Sequence, residues 1–471
     1  MNERTKFYDR KKEMNILNTK YDEIKKGNGV MLAIYGRRRV GKTELIRQFM
    51  EKIDAKKLYF YVDLAERNVQ LNALSKAVQE QLKENIIFGD FEDFFKYIGN
   101  KENFILVIDE FQRFLDTSPE FITSLQKHWD IEFKNNKIMI VLVGSSIGMM
   151  QKITNSKAGA LYGRALKIKI SPFKYNDFRM MFSDYSEEEK ILCYSIFGGT
   201  PYYLEKAKKF TDSLSAINEL ILIENGELSD EPKTLLEYES VRIHARYNSI
   251  LQSISSGKEV LKEIQDFTKI SSTTLPPYIF KLENLLDLVE KNDPVLGKER
   301  LRRYKIKDNF FKFWYKFIFE NQSAITLGNR EYVMQIINRD LNAYVGKVFE
   351  DIIKELLVCY QGKKIKEQLI SFESIGGWWD RNGNEIDILA HNPKEGHIIL
   401  LGEIKWNSKP ENFSIINELI RKSKYVSIKG KYDYLVVSKS GFTEECIRSM
   451  DENKILHLDL KEITKLFDEI S

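Results

Sequence analysis

Residues 30–50, VMLAIYGRRRVGKTELIRQFM, predict an apolar strand, a glycine-rich turn and an amphipathic helix in succession. The turn carries the pattern G-x-x-x-x-G-K-T from Gly36 to Thr43. Phosphate oxygens need a close ring of backbone N–H donors, so side chains are absent at Gly36 and Gly41, and the helix N-terminus adds partial positive charge. A chance match in a loop would lack the flanking strand and helix. We therefore predict a nucleotide site in an α/β domain.

The residues of this loop have different expected tasks. Lys42 would reach the β- and γ-phosphates, and the Thr43 hydroxyl would hold Mg²⁺. The other residues predicted to contact the nucleotide are Arg37, Arg38, Arg39, Val40 and Glu44.

A second apolar run, NFILVIDEFQRF, ends in Asp109 and Glu110. Buried parallel strands have this pattern, and their carboxyl ends carry active residues. Asp109 suits a Mg²⁺ ligand, and Glu110 suits the base that orients the attacking water. A third run, KIMIVLVGSS, brings Ser145 to the same edge, where its hydroxyl could sense the γ-phosphate. Carboxylates that merely end a strand, and a serine in an ordinary turn, are the structural alternatives.

The bulk properties restrict the class of protein. A chain of 471 residues is long enough for two to four domains, and 43% hydrophobic with 30% charged residues is typical of a globular protein. The N-terminus lacks a signal-peptide core and no run could span a bilayer, so we expect a cytoplasmic protein without a membrane partner. Three dispersed cysteines argue against a disulfide framework or a zinc site. A net charge of +4 leaves any basic surface local.

Residues 241–308 predict a winged helix. The second helix, beginning near Leu275, offers Lys281 and Asn284 among several acidic residues, which is poor for reading DNA bases. The following basic strand could instead contact phosphates without reading sequence. Its basic residues are Arg300, Arg302, Arg303, Lys305 and Lys307. DNA is thus an expected partner, and a domain used only for packing and relay is the equal alternative.

An aromatic helix is predicted to link the winged helix to the last part of the chain, over residues 309–330. NFFKFWYKFIFEN places aromatic side chains at helical spacing. Such a stripe is more often a core or a domain interface than a platform for stacking bases.

The last part of the chain, residues 331–471, carries charges in two apolar runs that predict a hairpin, NEIDILA and HIILLGEIKW. Asp387 would lie close to Glu403 across that hairpin, with Lys405 beside it. These charges are costly unless they are paired or used. Asp387 and Glu403 could hold Mg²⁺, Lys405 could stabilise charge on a phosphodiester, and Glu350 could approach from the preceding helix. A cross-strand salt-bridge cluster is the plainer reading.

Five motifs in a fixed order carry a family resemblance. They are FYDRKKE with Phe7, Arg10 and Glu13, then YGRRRVGKTEL, VIDEFQ, LYGRALKIKISPF and GGTPYYLE. Together they resemble the archaeal-type P-loop ATPases of the signal-transducing class, which are related to the AAA+ fold. The resemblance implies that Arg10 and Pro201 flank the adenine and that nucleotide gates a conformational change. Arg164 is our nominee for γ-phosphate contact, in cis or from a neighbouring subunit, and a plain surface arginine is the alternative.

The set of Glu350, Asp387, Glu403 and Lys405 resembles the restriction-endonuclease-like superfamily. The predicted fold is α/β and multidomain. Its parts are a P-loop ATPase core (1–205), a helical lid (206–240), the winged helix (241–308), the aromatic linking helix (309–330) and the nuclease-like domain (331–471).

Two classes of function follow. The preferred one is a switch that binds and hydrolyses ATP with Mg²⁺ and controls a nuclease-like domain acting on DNA. The other is a regulatory ATPase or DNA-binding scaffold whose last domain cuts nothing, acting on a protein partner or as a homo-oligomer. An origin-recognition-like DNA binder is a third hypothesis, which the weakly basic recognition helix disfavours.

Overall fold

The computed structural model describes residues 10–155, 159–238, 244–395, 398–426 and 430–470. Phe7, quoted in the first motif, lies outside these ranges. The chain forms two compact units. The first contains the residues up to Pro172 and Phe280–Asp287, and the second contains Phe173–Ile279 and Leu288–Ser471. Within the described ranges, no helix is both long and apolar enough to span a membrane.

The first unit is a parallel sheet flanked by helices. Its strands are β1 (Val30–Tyr35), β2 (Lys56–Tyr61), β3 (Phe104–Asp109), β4 (Ile138–Gly144) and β5 (Leu166–Lys169). Its helices are α1 (Lys11–Lys25), α2 (Lys42–Lys52), α3 (Arg67–Leu82), α4 (Phe91–Gly99), α5 (Phe114–Thr117), α6 (Pro119–Ile131) and α7 (Ile147–Thr154).

The five strands pair in parallel in the order β2-β3-β4-β1-β5. Every residue of β1, β3 and β4 is buried, as expected for strands covered on both faces. Alternate residues of β1 enter two separate apolar clusters: Met31 and Ala33 pack in one, and Leu32 and Ile34 in the other. The predicted parallel α/β core is confirmed, and its strands all end at one edge.

The second unit is mostly helical before residue 374, where its five-stranded sheet begins. Its helices are α8 (Tyr175–Met181), α9 (Glu187–Phe197), α10 (Pro201–Ala207), α11 (Ser213–Leu220), α12 (Glu231–Tyr238), α13 (His244–Ser255), α14 (Leu261–Thr268), α15 (Leu275–Asn284, whose end is counted with the first unit), α16 (Asn309–Phe313), α17 (Gln322–Thr326), α18 (Arg330–Cys359), α19 (Ser414–Ser423), α20 (Glu444–Glu452) and α21 (Leu460–Asp468). Its strands are β6 (Val289–Asn292), β7 (Arg303–Ile306), β8 (Lys364–Ile365), β9 (Gln368–Leu369), β10 (Ser374–Trp379), β11 (Glu385–Asn392), β12 (Ile398–Lys405), β13 (Tyr432–Ser438) and β14 (Leu456–Asp459).

A mixed sheet forms the core of the last part of the chain, in the order β10-β11-β12-β13-β14. The first two pairings are antiparallel and the last two are parallel. Ile388 pairs with Gly402 across β11 and β12, which confirms the predicted hairpin. The long helix α18 buries one apolar face that includes Leu341, Val348 and Ile352. This face follows the predicted helical spacing.

The aromatic segment after residue 308 departs from the single helix that we predicted. It begins as α16, widens into a π-helix over Trp314–Ile318, tightens into a 3-10 turn over Phe319–Asn321 and ends as α17. Its aromatic side chains are buried on several sides, and the indole N–H of Trp314 donates to the Ser229 carbonyl at 2.6 Å. The first part of the segment is therefore a buried core element, but not one regular helix.

The compact units also divide the chain at a place that the motifs did not indicate. Residues 173–205, which we assigned to the ATPase core, are grouped with the second unit. The segment predicted as a winged helix contains α13, α14 and α15 followed by the antiparallel hairpin β6-β7.

Candidate functional site

The P-loop joins β1 to α2 in the first unit. Gly41 caps α2 with a φ of 89°, in the left-handed region that glycine adopts readily. A Cβ atom at Gly36 would lie 2.1 Å from the carbonyl oxygen of Ile170, so no other residue fits there. Gly41 is therefore required by its backbone conformation, and Gly36 by close packing.

Two cationic side chains hold the loop in shape. The ammonium group of Lys42 donates to the carbonyl oxygens of Gly36 and Arg37, each at 2.8 Å, and Lys42 is buried. Arg10 donates to the carbonyl oxygens of Val40 at 3.0 Å and Ser171 at 2.7 Å. Arg10 thus contacts the P-loop directly, next to the nucleotide position that the resemblance implies.

The remaining predicted loop residues lie around this turn. Arg37 and Val40 are buried, while Arg38 and Arg39 are half-buried. Glu44 lies in the first turn of α2 and pairs with Arg47 at 2.7 Å.

Asp109 meets the P-loop helix across the sheet edge. The Thr43 hydroxyl donates to Asp109 Oδ2 at 3.0 Å, and the Tyr59 hydroxyl donates to the same oxygen at 2.6 Å. Burial, and then the bond to Asp109, raises the pKa of Tyr59, so this hydroxyl stays a donor. A hydroxyl and a carboxylate are hard oxygen donors of the kind that Mg²⁺ takes. The predicted pair of metal ligands, Thr43 and Asp109, is brought together.

Glu110, the residue after Asp109, has its backbone in the left-handed region, at a φ of 56°. This conformation is uncommon for a residue other than glycine and is frequent at functional sites. Its carboxylate accepts from the Ser145 hydroxyl at 2.7 Å and from the Gln112 amide. Ser145 therefore lies at the predicted sheet edge, where it positions Glu110.

The structure pairs Arg164 with an acidic residue and places Pro201 in the second unit. Arg164 forms a bidentate ion pair with Asp130, at 2.8 and 2.7 Å, so its guanidinium is already engaged within the first unit. Pro201 is the first residue of α10, in the second unit.

A second group of titratable residues lies in the second unit. Asp387, on β11, accepts from the backbone N–H of Ile404 at 2.8 Å. Burial, and then repulsion from Glu403, raises the pKa of Asp387. Burial, and then the charge of Asp387, raises the pKa of Glu350 on α18. Asp387 therefore lies within electrostatic range of both Glu403 and Glu350.

Glu403 is the most buried of the three carboxylates, at 2% exposed. Lys405 lies 2.6 Å from its Oε1 atom, and Lys422 lies 3.0 Å from both oxygens. Two ammonium groups thus neutralise one carboxylate. Among the described residues, no group of three or more His, Cys, Asp or Glu side chains is arranged to hold a metal ion. The metal role of Asp387 and Glu403 stays a prediction.

Four side chains at these sites were missed by sequence reasoning. They are Tyr59, Gln112, Lys347 and Lys422. Gln112 stands within the quoted VIDEFQ motif, and Lys347 precedes Glu350 by one helical turn and pairs with it at 3.0 Å, so both had a local signal. Tyr59 and Lys422 meet their partners only through tertiary packing.

Two family models match the chain. Residues 7–207 match an ATPase domain found predominantly in Archaea. Residues 314–416 match a domain of archaeal and bacterial proteins of unknown function. An uncharacterized protein of Methanocaldococcus jannaschii is 32% identical over 470 residues, which cover 97% of this chain and 100% of that protein.

Two solved structures align with this chain. The Walker-type ATPase PABY2304 of Pyrococcus abyssi aligns with a TM-score of 0.51 at 20% identity, over 66% of this chain and 97% of its own. At this identity the likeness concerns the fold alone. The Aeropyrum pernix ORC2 protein aligns with a TM-score of 0.46 at 15% identity, over 69% of this chain and 95% of its own.

Proposed function

Because the chain belongs to a family of archaeal-type ATPases, we propose that it is an ATP-driven switch of the signal-transducing class whose nucleotide state controls a Mg²⁺-dependent nuclease centre acting on DNA. The ATPase domain is the premise. The nuclease centre, and its control by ATP, are the proposal.

The first unit supplies the groups that ATP hydrolysis needs. Thr43 and Asp109 would hold Mg²⁺, which offsets the phosphate charge when bound. Lys42 would exchange its bonds to loop carbonyls for the β- and γ-phosphates. Glu110, held by Ser145, would orient the attacking water.

The proposed adenine and γ-phosphate contacts come from residues outside the P-loop. Arg10 and Pro201 would flank the adenine, as the family resemblance implies. Arg164 would contact the γ-phosphate only after leaving Asp130, or from a neighbouring copy of the chain.

The last part of the chain supports a restriction-endonuclease-like assignment. Two antiparallel strand pairings followed by two parallel ones form its sheet, and α18 brings a glutamate to the hairpin that carries Asp387. Asp387 would hold Mg²⁺ for a phosphodiester, with Glu350 close by and Lys405 stabilising developing negative charge. Glu403 would join as a ligand when its lysine partners yield. The helices α14 and α15 with the hairpin β6-β7 support a winged helix beside this centre.

The observation that carries the proposed coupling is the helix α18. Its Glu355 carboxylate accepts from the backbone N–H groups of Tyr175 at 3.2 Å and Asn176 at 3.1 Å, directly after the chain leaves the first unit. The same helix carries Tyr344, whose hydroxyl donates to the Ser195 carbonyl at 2.8 Å, and Glu350 of the acidic centre. One rigid element thus connects the segment after the P-loop unit with the proposed nuclease centre.

Cleavage of DNA tests this function. Linear, circular and single-stranded DNA would be incubated with Mg²⁺ or Mn²⁺, with and without ATP, for wild type, Asp387→Ala and Lys405→Ala. Asp433→Ala is a matched control, because Asp433 lies on the same sheet and pairs with Lys431 at 3.3 Å. We expect ATP-dependent cleavage that both centre variants lose and the control keeps. Cleavage retained in Asp387→Ala would reject the centre.

A second candidate is a regulatory ATPase or scaffold that does not cut. The observation favouring it is the neutralisation of Glu403 by Lys405 and Lys422, since a carboxylate held by two ammonium groups is a poor metal ligand. ATP hydrolysis without cleavage of any DNA in any nucleotide state would favour this candidate.

A further inference from the structure

The Asp109 carboxylate is held at both of its oxygens. Its Oδ1 atom accepts from the backbone N–H of Glu110 at 2.8 Å. Its Oδ2 atom accepts from the Tyr59 hydroxyl at 2.6 Å and from the Thr43 hydroxyl at 3.0 Å. Asp109 is 3% exposed, so these donors take the place of water around a buried charge. Of these donors, Tyr59 comes from neither the P-loop nor the strand that carries Asp109.

Tyr59 reaches Asp109 from the neighbouring strand. In the pairing of β2 with β3, the residue opposite Asp109 is Tyr61. Tyr59 lies two residues before that position, which is about 6.6 Å along the strand. A phenol hydroxyl stands far enough from the backbone to bridge this distance, whereas the short side chain of serine or threonine would end near the backbone. The contact with Asp109 thus depends on a tyrosine at this position.

Tyr59 is anchored at its ring and at its backbone. The ring packs against the apolar cluster that contains Leu32 and Ile34. The strand β2 is an edge of the sheet, where backbone groups are otherwise left unpaired. The Gln81 carboxamide on α3 accepts from the Tyr59 backbone N–H at 2.9 Å and donates to the Tyr59 carbonyl at 2.8 Å. The sheet and α3 therefore fix the position from which the hydroxyl reaches Asp109.

We infer that Tyr59 is a positioning residue of the ATPase site, which orients Asp109 toward the bound Mg²⁺. Outer partners that hydrogen-bond a ligating carboxylate fix its orientation, and their loss typically costs about 10- to 100-fold in metal affinity or activity. A carboxylate has roughly four acceptor positions, so the three bonds described above do not fill it. The inference rests on the proposed function, because it takes Thr43 and Asp109 as the Mg²⁺ ligands.

Nucleotide binding, measured without turnover, tests the inference. A fluorescent, non-hydrolysable ATP analogue would be bound to the full-length protein in EDTA and then over a range of Mg²⁺ concentrations. The variant is Tyr59→Phe, which removes the hydroxyl and keeps the packed ring. Tyr97→Phe is the matched control in the same unit, because it removes a hydroxyl–carboxylate bond of the same kind, from Tyr97 to Glu84 at 2.9 Å.

We expect Tyr59→Phe to bind the analogue in EDTA as tightly as wild type does, which also shows that the variant is folded. The Mg²⁺ concentration that gives half of the metal effect should rise by about 10-fold or more. The control should match wild type in both measurements. The inference is overturned if this concentration is unchanged in Tyr59→Phe. It is also overturned if binding weakens equally in EDTA and in Mg²⁺, since the hydroxyl would then support only the fold of the domain.

The variant Asp109→Ala separates the inference from the proposed function. If Asp109→Ala leaves the Mg²⁺ dependence unchanged, Asp109 is rejected as a ligand and the inference is rejected with it. If Asp109→Ala raises the Mg²⁺ concentration needed and Tyr59→Phe does not, the ligand assignment stands and the inference alone is overturned. The experiment contains no DNA, so neither result depends on the proposed nuclease centre.

Discussion

The ammonium group of Lys422 lies 3.0 Å from both carboxylate oxygens of Glu403, across 19 residues of sequence. Lys405 approaches the same carboxylate from two residues further along β12. A carboxylate that is 2% exposed is costly to bury unless it is paired and hydrogen-bonded, and the two ammonium groups supply those partners. Two lysines, one on β12 and one on α19, therefore lie as counter-charges beside this one carboxylate.

Replacement of Lys422 tests this relationship. Because Lys405 remains as a partner, Lys422→Ala should lower the free energy of unfolding by about 1–3 kcal/mol, the cost of a buried group that loses one partner. Lys424→Ala is the control, since Lys424 is exposed just after the same helix, and it should stay within about 0.5 kcal/mol of wild type. Urea denaturation measures both. Equal stability of the two variants would show that Lys422 contributes nothing.

Removal of the P-loop ammonium group should abolish ATPase function. Lys42→Ala should lose ATP binding or reduce turnover by more than about 100-fold, because the ammonium group expected to reach the β- and γ-phosphates is removed. Lys52→Ala, at the exposed end of the same helix, is the control. Nucleotide binding and phosphate release measure the two effects. Normal turnover of Lys42→Ala would reject the P-loop assignment.

Replacement of Glu110 should slow ATP hydrolysis without weakening ATP binding. Glu110→Gln keeps the shape of the side chain and its contact with Ser145, so Mg²⁺-ATP should bind with unchanged affinity. Turnover should fall by about 100- to 1,000-fold, because the base that orients water is lost. Glu51→Gln, on the surface of α2, is the control. Hydrolysis at the wild-type rate would exclude Glu110 from the reaction.

The raised pKa of Glu355 predicts that the free energy of unfolding depends on pH. Its pKa is raised, mainly by burial, although backbone N–H groups of Asn176 and Tyr175 oppose the shift. The folded state therefore binds the proton more tightly than the unfolded state, and this residue's contribution is fully present below its unfolded pKa and lost as pH rises through the folded value.

The free energy of unfolding of wild type, compared with that of Glu355→Gln, should accordingly decrease as the pH rises above the ordinary glutamate value of 4.5. Glutamine keeps one of the two acceptor oxygens for the α8 backbone and removes the titration. Denaturation at several pH values measures the difference. A difference that does not change with pH would contradict the raised pKa.

The sequence alone identified the features whose chemistry is local. A phosphate-binding turn needs its glycines, its lysine and its flanking strand and helix within a few residues, and the strand ending in Asp109 and Glu110 is one continuous apolar run. The hairpin with Asp387, Glu403 and Lys405 was also predictable, because the alternation of a strand and the turn between two strands are read from neighbouring residues.

Tertiary structure alone decided the contacts between residues far apart in the chain. It placed Lys422 on Glu403, Tyr59 on Asp109 and Glu355 on the backbone of Tyr175, 180 residues away. It also divided the aromatic segment into short helical pieces. Periodicity shows which face of an element is buried, but the neighbour that buries it depends on the packing of whole elements, which no local pattern contains.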